Sequence, residues 1–226
     1  MGDAVGQMLA SAVGIAISPL PLIAVVLMLA TPRGRSNGIA FTASWVASLA
    51  VVVTAVVLLG SGADASGDDG PADWTLWLKL GLGLLFLLMG VKQWKDRPRE
   101  GQEPEPPGWM KAIDRFTPGK AAGLAAALAV ANPKNLVLAI GGAVSIAGSG
   151  ASTGGKTLAA VLMVLIGSLC TLAPLAVYLL GGAKSAQTLG DWKVWMSRHN
   201  AAIMTTLLVV LGAKYVGDAI SGLAAA

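Results

Sequence analysis

The chain reads as an all-α integral membrane protein. Six transmembrane helices are expected, in two inverted three-helix repeats whose first helices (spans 1 and 4) are broken at proline. Three observations predict this. Mean hydropathy is +0.70, with 55% hydrophobic and only 12% charged residues, whereas soluble domains carry about 25% charged residues. Six apolar runs reach the length of about 20 residues that a bilayer-spanning helix needs. Two of these runs carry prolines at their centres, in matching places of the two halves.

The first run, 4–30, is interrupted by Ser18-Pro19-Leu20-Pro21. Pro19 cannot donate to the Ile15 carbonyl, nor Pro21 to that of Ile17, so a continuous helix is expected to break here. The run lacks a basic leader and is too long for a signal-peptide core, so it is expected to be a span. The second and third runs are 37–60 and 74–95. The fourth, 119–147, is divided by Asn132-Pro133-Lys134-Asn135, where the Pro133 ring would meet the Ala129 carbonyl. The fifth and sixth are 156–181 and 200–223. Helices are expected because they satisfy their backbone polar groups within each span, whereas a barrel needs alternating segments of about 10 residues.

Charge in the loops sets the expected orientation. Residues 31–36 carry Arg33 and Arg35. The stretch 61–73 carries Asp64, Asp68, Asp69 and Asp73 and no cation. Segment 96–118 and its flanks hold seven basic residues, and 183–199 holds Lys184, Lys193 and Arg198. With the first, third and fifth loops in the cytoplasm, 12 of the 16 basic residues lie inside. That places both termini outside a multi-pass membrane protein. Residues 1–95 form the first repeat and 119–226 the second. Between them, 96–118 is a Pro/Glu-rich linker ending in a short amphipathic piece around Trp109 and Phe116. Pro19 and Pro133 each lie about 15 residues into their spans. Gly90, Lys92 and Asp96 at the end of span 3 recur at the same spacing as Gly212, Lys214 and Asp218 in span 6. Three spans per half invert the second copy.

Lys134 is the central candidate. An ammonium at mid-span costs about 2.5–3.5 kcal/mol on insertion scales unless it faces a partner or a watery cavity. Broken helices at matching positions are where transporters bind cargo. The expected substrate-binding residues are therefore Ser18, Pro19, Pro21, Asn132, Pro133, Lys134 and Asn135. Ser44, Ser48, Ser168 and Thr171, with Lys92, Asp96, Lys214 and Asp218, are expected to line a path or gate; for the serines and threonines, close helix packing is the competing account. Residues 150–157 fit the phosphate-loop pattern G-x-x-x-x-G-K-[ST], but they join two spans instead of a strand and a helix. His199 is the sole histidine and lies in a loop, and Cys170 is the sole cysteine, in an apolar run. Nothing supports an enzyme, and no cofactor or metal is expected.

GIAISPLPLIAVVLML (14–29), TPRGR (31–35), EPEPPGWMKAIDRFTPGKAAGL (103–124) and ANPKNLVL (131–138) together resemble the GAP family of actinobacterial membrane proteins. That family includes the glycopeptidolipid-addressing and sulfolipid-1-addressing proteins and is grouped with the LysE-type exporter superfamily. The resemblance implies a place in the bacterial plasma membrane and movement of a cell-envelope glycolipid, or a component of one, across it. The alternatives are a LysE-like exporter of amino acids or ions, and a non-transporting scaffold for lipid synthesis docked through 96–118. Lys134 has no acidic partner at its depth, which favours an anionic cargo group. The expected partners are membrane lipids and a lipid or small-molecule cargo, with a homodimer as the assembly considered and no nucleic acid.

Overall fold

The computed structural model describes residues 2–63, 73–95 and 113–225, and no strand occurs among them. In chain order the α-helices are α1 (Gly2–Ala16), α2 (Pro19–Leu29), α3 (Gly34–Ala63), α4 (Asp73–Lys95), α5 (Pro118–Ala126), α6 (Pro133–Ala147), α7 (Thr153–Gly167), α8 (Leu169–Leu180) and α9 (Ser185–Ala225). A π-helical turn, Ala127–Ala131, joins α5 to the break before α6. The helices α3, α4 and α9 are each long and apolar enough to cross a membrane. Three bent pairs, α1–α2 at 46°, α5–α6 at 63° and α7–α8 at 57°, raise the number of candidate spans to as many as six. Apolar side chains such as Leu59, Leu88 and Leu180 cover the outside, an exterior suited to lipid and not to water.

Two of the three breaks follow from proline chemistry. Ser18 and Asn132 each precede a proline and adopt extended backbone (φ −70°, ψ 117° and φ −78°, ψ 111°), the region left open to a residue before proline. At the second break the freed groups find new partners. The Asn132 N–H shifts back one residue to the Ala127 carbonyl (3.1 Å), which creates the π turn, and the Asn135 side chain donates to the abandoned Leu128 carbonyl (2.9 Å). Buried carbonyls in an apolar layer require this kind of replacement.

Two expectations change. The fifth span is not one straight helix: it breaks at Ser168, six residues before Pro174, whose ring faces the Cys170 carbonyl in a helix. The stretch 183–199 is not a loop. From Ser185 onward it is helix and runs into the sixth span, giving a 41-residue α9 about 60 Å long, twice the bilayer core. Hydropathy falls along 185–199, but backbone pairing continues. Of linker 96–118, the described part is a 3-10 turn, Ile113–Arg115, followed by Phe116, whose carbonyl accepts from Asn37 Nδ2 (3.1 Å). Trp109 and the acidic residues Asp64, Asp68 and Asp69 lie outside the described residues.

The pair α4 and α9 packs antiparallel through small residues: Gly83 lies against Val216, Gly90 against Val209, and Gly222 against Leu76. A Cβ on Gly212 would come within 3.0 Å of the Gly83 carbonyl oxygen, so glycine is what allows this approach. On the other side α1 lies between α6 and α7, with Gly14 against Leu138 and Ile15 against Gly167. Trp45, Phe41, Phe86, Tyr215, Met8 and Ile15 are fully buried in the shared core.

Candidate functional site

The two proline breaks meet. Lys134, in the first turn of α6, reaches across to α2, where its Nζ donates to Ser18 Oγ (2.8 Å) and also to Met204 Sδ of α9 (2.9 Å). Ser18 occupies the N-cap position of α2, but its hydroxyl makes no cap bond there and accepts from the lysine instead. On the other side of the site, Asn132 caps α6 by accepting from the Lys134 N–H (3.1 Å), which fixes where the lysine side chain begins. Asn135 is buried; its amide caps Leu128, while its Oδ1 has no partner among the described residues.

The third break joins the same region. Gly167, just before Ser168, packs against Ile15, three residues before Ser18, and α8 lies along α2. Ser168 is fully buried, and its Oγ has no partner among the described residues. Thr171 Oγ1 donates to the Ser168 carbonyl (3.0 Å). So α2, α6 and α8 all begin at breaks, and a helix N-terminus carries about half a positive charge. Together with Lys134 they make a cationic site between the breaks, suited to an anion or to the negative end of a dipole.

The other expected residues are placed differently. Ser44 Oγ donates to the Ala122 carbonyl of α5 (2.8 Å), a packing bond between helices, and Ser48 is half-buried one turn further along. Lys92 is exposed near the end of α4, and Asp96 lies outside the described residues. Lys214 and Asp218 pair with each other on α9 at 2.6 Å, ten residues and more beyond Met204, or about 15 Å along the helix. They are not brought to Lys134. The phosphate-loop match follows helix α6, not a strand; Ser152 caps α7, and Lys156 Nζ donates to the Ala147 carbonyl. His199 is exposed within α9 and stacks on Trp195 at 4.7 Å.

A second polar cluster had no signal in the sequence. Tyr215 Oη lies 3.0 Å from Ser11 Oγ and 3.5 Å from Ser145 Oγ, and all three residues are 0–1% exposed. It ties α1, α6 and α9 together eleven residues beyond Lys134 on α6, about 16 Å away. Gly141 and Gly142 make room for it, since a Cβ on Gly141 would meet the Tyr215 hydroxyl at 2.7 Å.

Over residues 8–221, nearly the whole chain, the sequence matches the family model described as Sap, sulfolipid-1-addressing protein. The chain belongs to this family. No curated protein and no solved structure matches it. The match makes this Sap-family chain a lipid-related membrane protein and spans both proline breaks and Lys134.

Proposed function

We propose that this protein moves an anionic envelope lipid, or its polar portion, across the plasma membrane, with the headgroup passing the site between the proline breaks. The observation that carries the reading is the 2.8 Å bond from Lys134 to Ser18. It places a cation at the junction of two broken helices from opposite halves, where freed backbone and helix N-termini favour negative charge. The family's name concerns a sulfolipid, and a sulfate ester keeps its negative charge at any physiological pH.

The reading also needs an opening toward lipid. A groove of about 270 Å³ runs between α3 and α7, lined by Thr54, Val57, Leu58, Ala160, Val161 and Leu165 among others. Leu58, Val161 and Leu165 are exposed along it, and it ends three residues short of Ser168. An apolar groove leading toward the third break suits an acyl chain better than an amino acid or an ion.

Two inverted three-helix repeats are part of this proposal. The matching dihedrals at Ser18 and Asn132 support them. So do the packing partners: α3 lies on α5 as α7 lies on α1, α3 on α6 as α8 on α2, and α4 pairs antiparallel with its counterpart α9. The orientation with both termini outside rests on the loop charges. The test is reconstitution into liposomes, following a sulfated glycolipid, a zwitterionic lipid and a basic amino acid across the bilayer in parallel. The sulfated lipid should cross fastest. Movement of the amino acid alone would replace this reading with the LysE-like one, and movement of nothing would favour the scaffold.

A further inference from the structure

A second cationic site lies where α2 turns into α3. The turn is tightly built. Thr31 Oγ1 donates to the Met28 carbonyl (2.7 Å), the Gly34 N–H to the Thr31 carbonyl (2.8 Å), and Ser36 Oγ to the Arg33 carbonyl (3.1 Å). Gly34 is required, because a Cβ there would sit 2.3 Å from the Leu29 carbonyl oxygen. Gly38, one turn on, packs against Leu29 and Leu175, so the start of α3 is seated against the end of α8. Arg33 and Arg35 flank Gly34 and project from this closed turn, and neither has a carboxylate partner among the described residues. Between the turn and α8 is an open surface depression of about 440 Å³ bounded by Pro32, Arg33, Arg35, Ser36, Ile39 and Tyr178.

We propose that this depression binds a phosphate or sulfate group, that of a membrane lipid's headgroup or of a soluble anion. Two guanidinium groups on a fixed turn present paired N–H donors to tetrahedral oxyanions. The start of the 30-residue α3 adds its positive end. Tyr178 and Ile39 form the apolar side, which a lipid's glycerol and first methylenes could cover. The site is separate from Lys134 and does not depend on the transport reading.

The test uses the full-length protein carrying Lys134→Met, so that the central ammonium contributes nothing, in nanodiscs of phosphatidylcholine. Binding is titrated with phosphatidylglycerol and with inorganic phosphate and sulfate, and read by native mass spectrometry and thermal shift. Saturable binding should weaken about tenfold or more in R33Q/R35Q, because charge-assisted hydrogen bonds are lost. R33K/R35K, which keeps the charge and therefore the topology signal, should retain part of it. Lys193→Gln/Arg198→Gln, which removes equal charge from α9, should change little. Lipid binding without binding of free anions identifies the headgroup as the ligand; binding of free phosphate or sulfate alone identifies a soluble anion. Equal weakening by the α9 variant would reduce the site to a diffuse basic surface and overturn the proposal, as would failure of every probe to bind above phosphatidylcholine.

Discussion

Replacing Lys134 with methionine separates a working cation from a structural one. Methionine keeps most of the length and apolar stem and removes the charge. Two effects oppose each other in stability. Taking an ammonium out of mid-span gains about 2.5–3.5 kcal/mol on insertion scales. Losing the charge-assisted bond to Ser18 Oγ at 2.8 Å costs about 1.5–3 kcal/mol. The net lies between a gain of about 2 kcal/mol and a loss of about 0.5 kcal/mol, so the thermal midpoint should rise or fall by no more than a few degrees. Transport should respond quite differently. If the ammonium contacts the cargo anion as it passes, losing that contact removes about 1.5–3 kcal/mol, a slowing of roughly ten- to hundredfold. The assay is flux of a fluorescent sulfated lipid in proteoliposomes, with thermal unfolding measured on the same preparation. Lys134→Arg, which keeps the charge, should recover part of the flux. Parental flux in Lys134→Met would refute the anion site. A melting point lowered by ten degrees or more would show that the lysine holds the breaks together and acts structurally.

Four further outcomes are expected. Pro19→Ala and Pro133→Ala should restore the missing backbone donors, leaving stability level or higher while flux falls; variants that transport like the parent would reduce the prolines to ordinary kinks. Tyr215→Phe removes a phenol that bonds Ser11 and Ser145 and should cost about 1–3 kcal/mol, read by thermal unfolding, with flux unchanged per folded molecule. Gly142→Ala places a Cβ 2.9 Å from Ser11 Cβ, beside the Met163 thioether, and should cost about 1–3 kcal/mol by overpacking; a neutral result would mean that α1, α6 and α7 pack more loosely than described. Single cysteines at Asp68 and Glu103 should label from outside and from inside respectively, against a background kept silent because Cys170 is buried, and labelling of Glu103 in intact cells would invert the topology.

How much of this could be read from the sequence follows the range of each physical cause. The position and apolar character of the long helices come from summed transfer free energy, which is local and additive along the chain. The breaks at Pro19 and Pro133 are covalent in origin, since a missing N–H acts on the residue four before it whatever the tertiary context. Lys134 stood out because a single charge is conspicuous in an apolar run. The break at Ser168 did not stand out: no proline occupies that position, and Pro174 lies within the helix that follows it. The helical nature of 185–199 was hidden because hydropathy reports solvent and not backbone pairing.

The tertiary structure alone decided who meets whom. Ser18 and Lys134 are 116 residues apart, and their contact depends on α2 and α6 packing at one level. Met204 carries no polar signal, yet its sulfur faces the ammonium. Tyr215 looked like one aromatic among many until Gly141 was found to clear space for its hydroxyl beside Ser11. Lys214 and Asp218, by contrast, could be paired from sequence as an i, i+4 couple on a helix, and their position along α9, not their chemistry, leaves them out of the site. The sequence by itself determined the apolar helices, the two proline breaks and the sign of the central charge, because each arises from chemistry within a few residues. The convergence of three breaks around that charge is a property of helix packing, which depends on side chains far apart in the chain and is decided only when the helices close on one another.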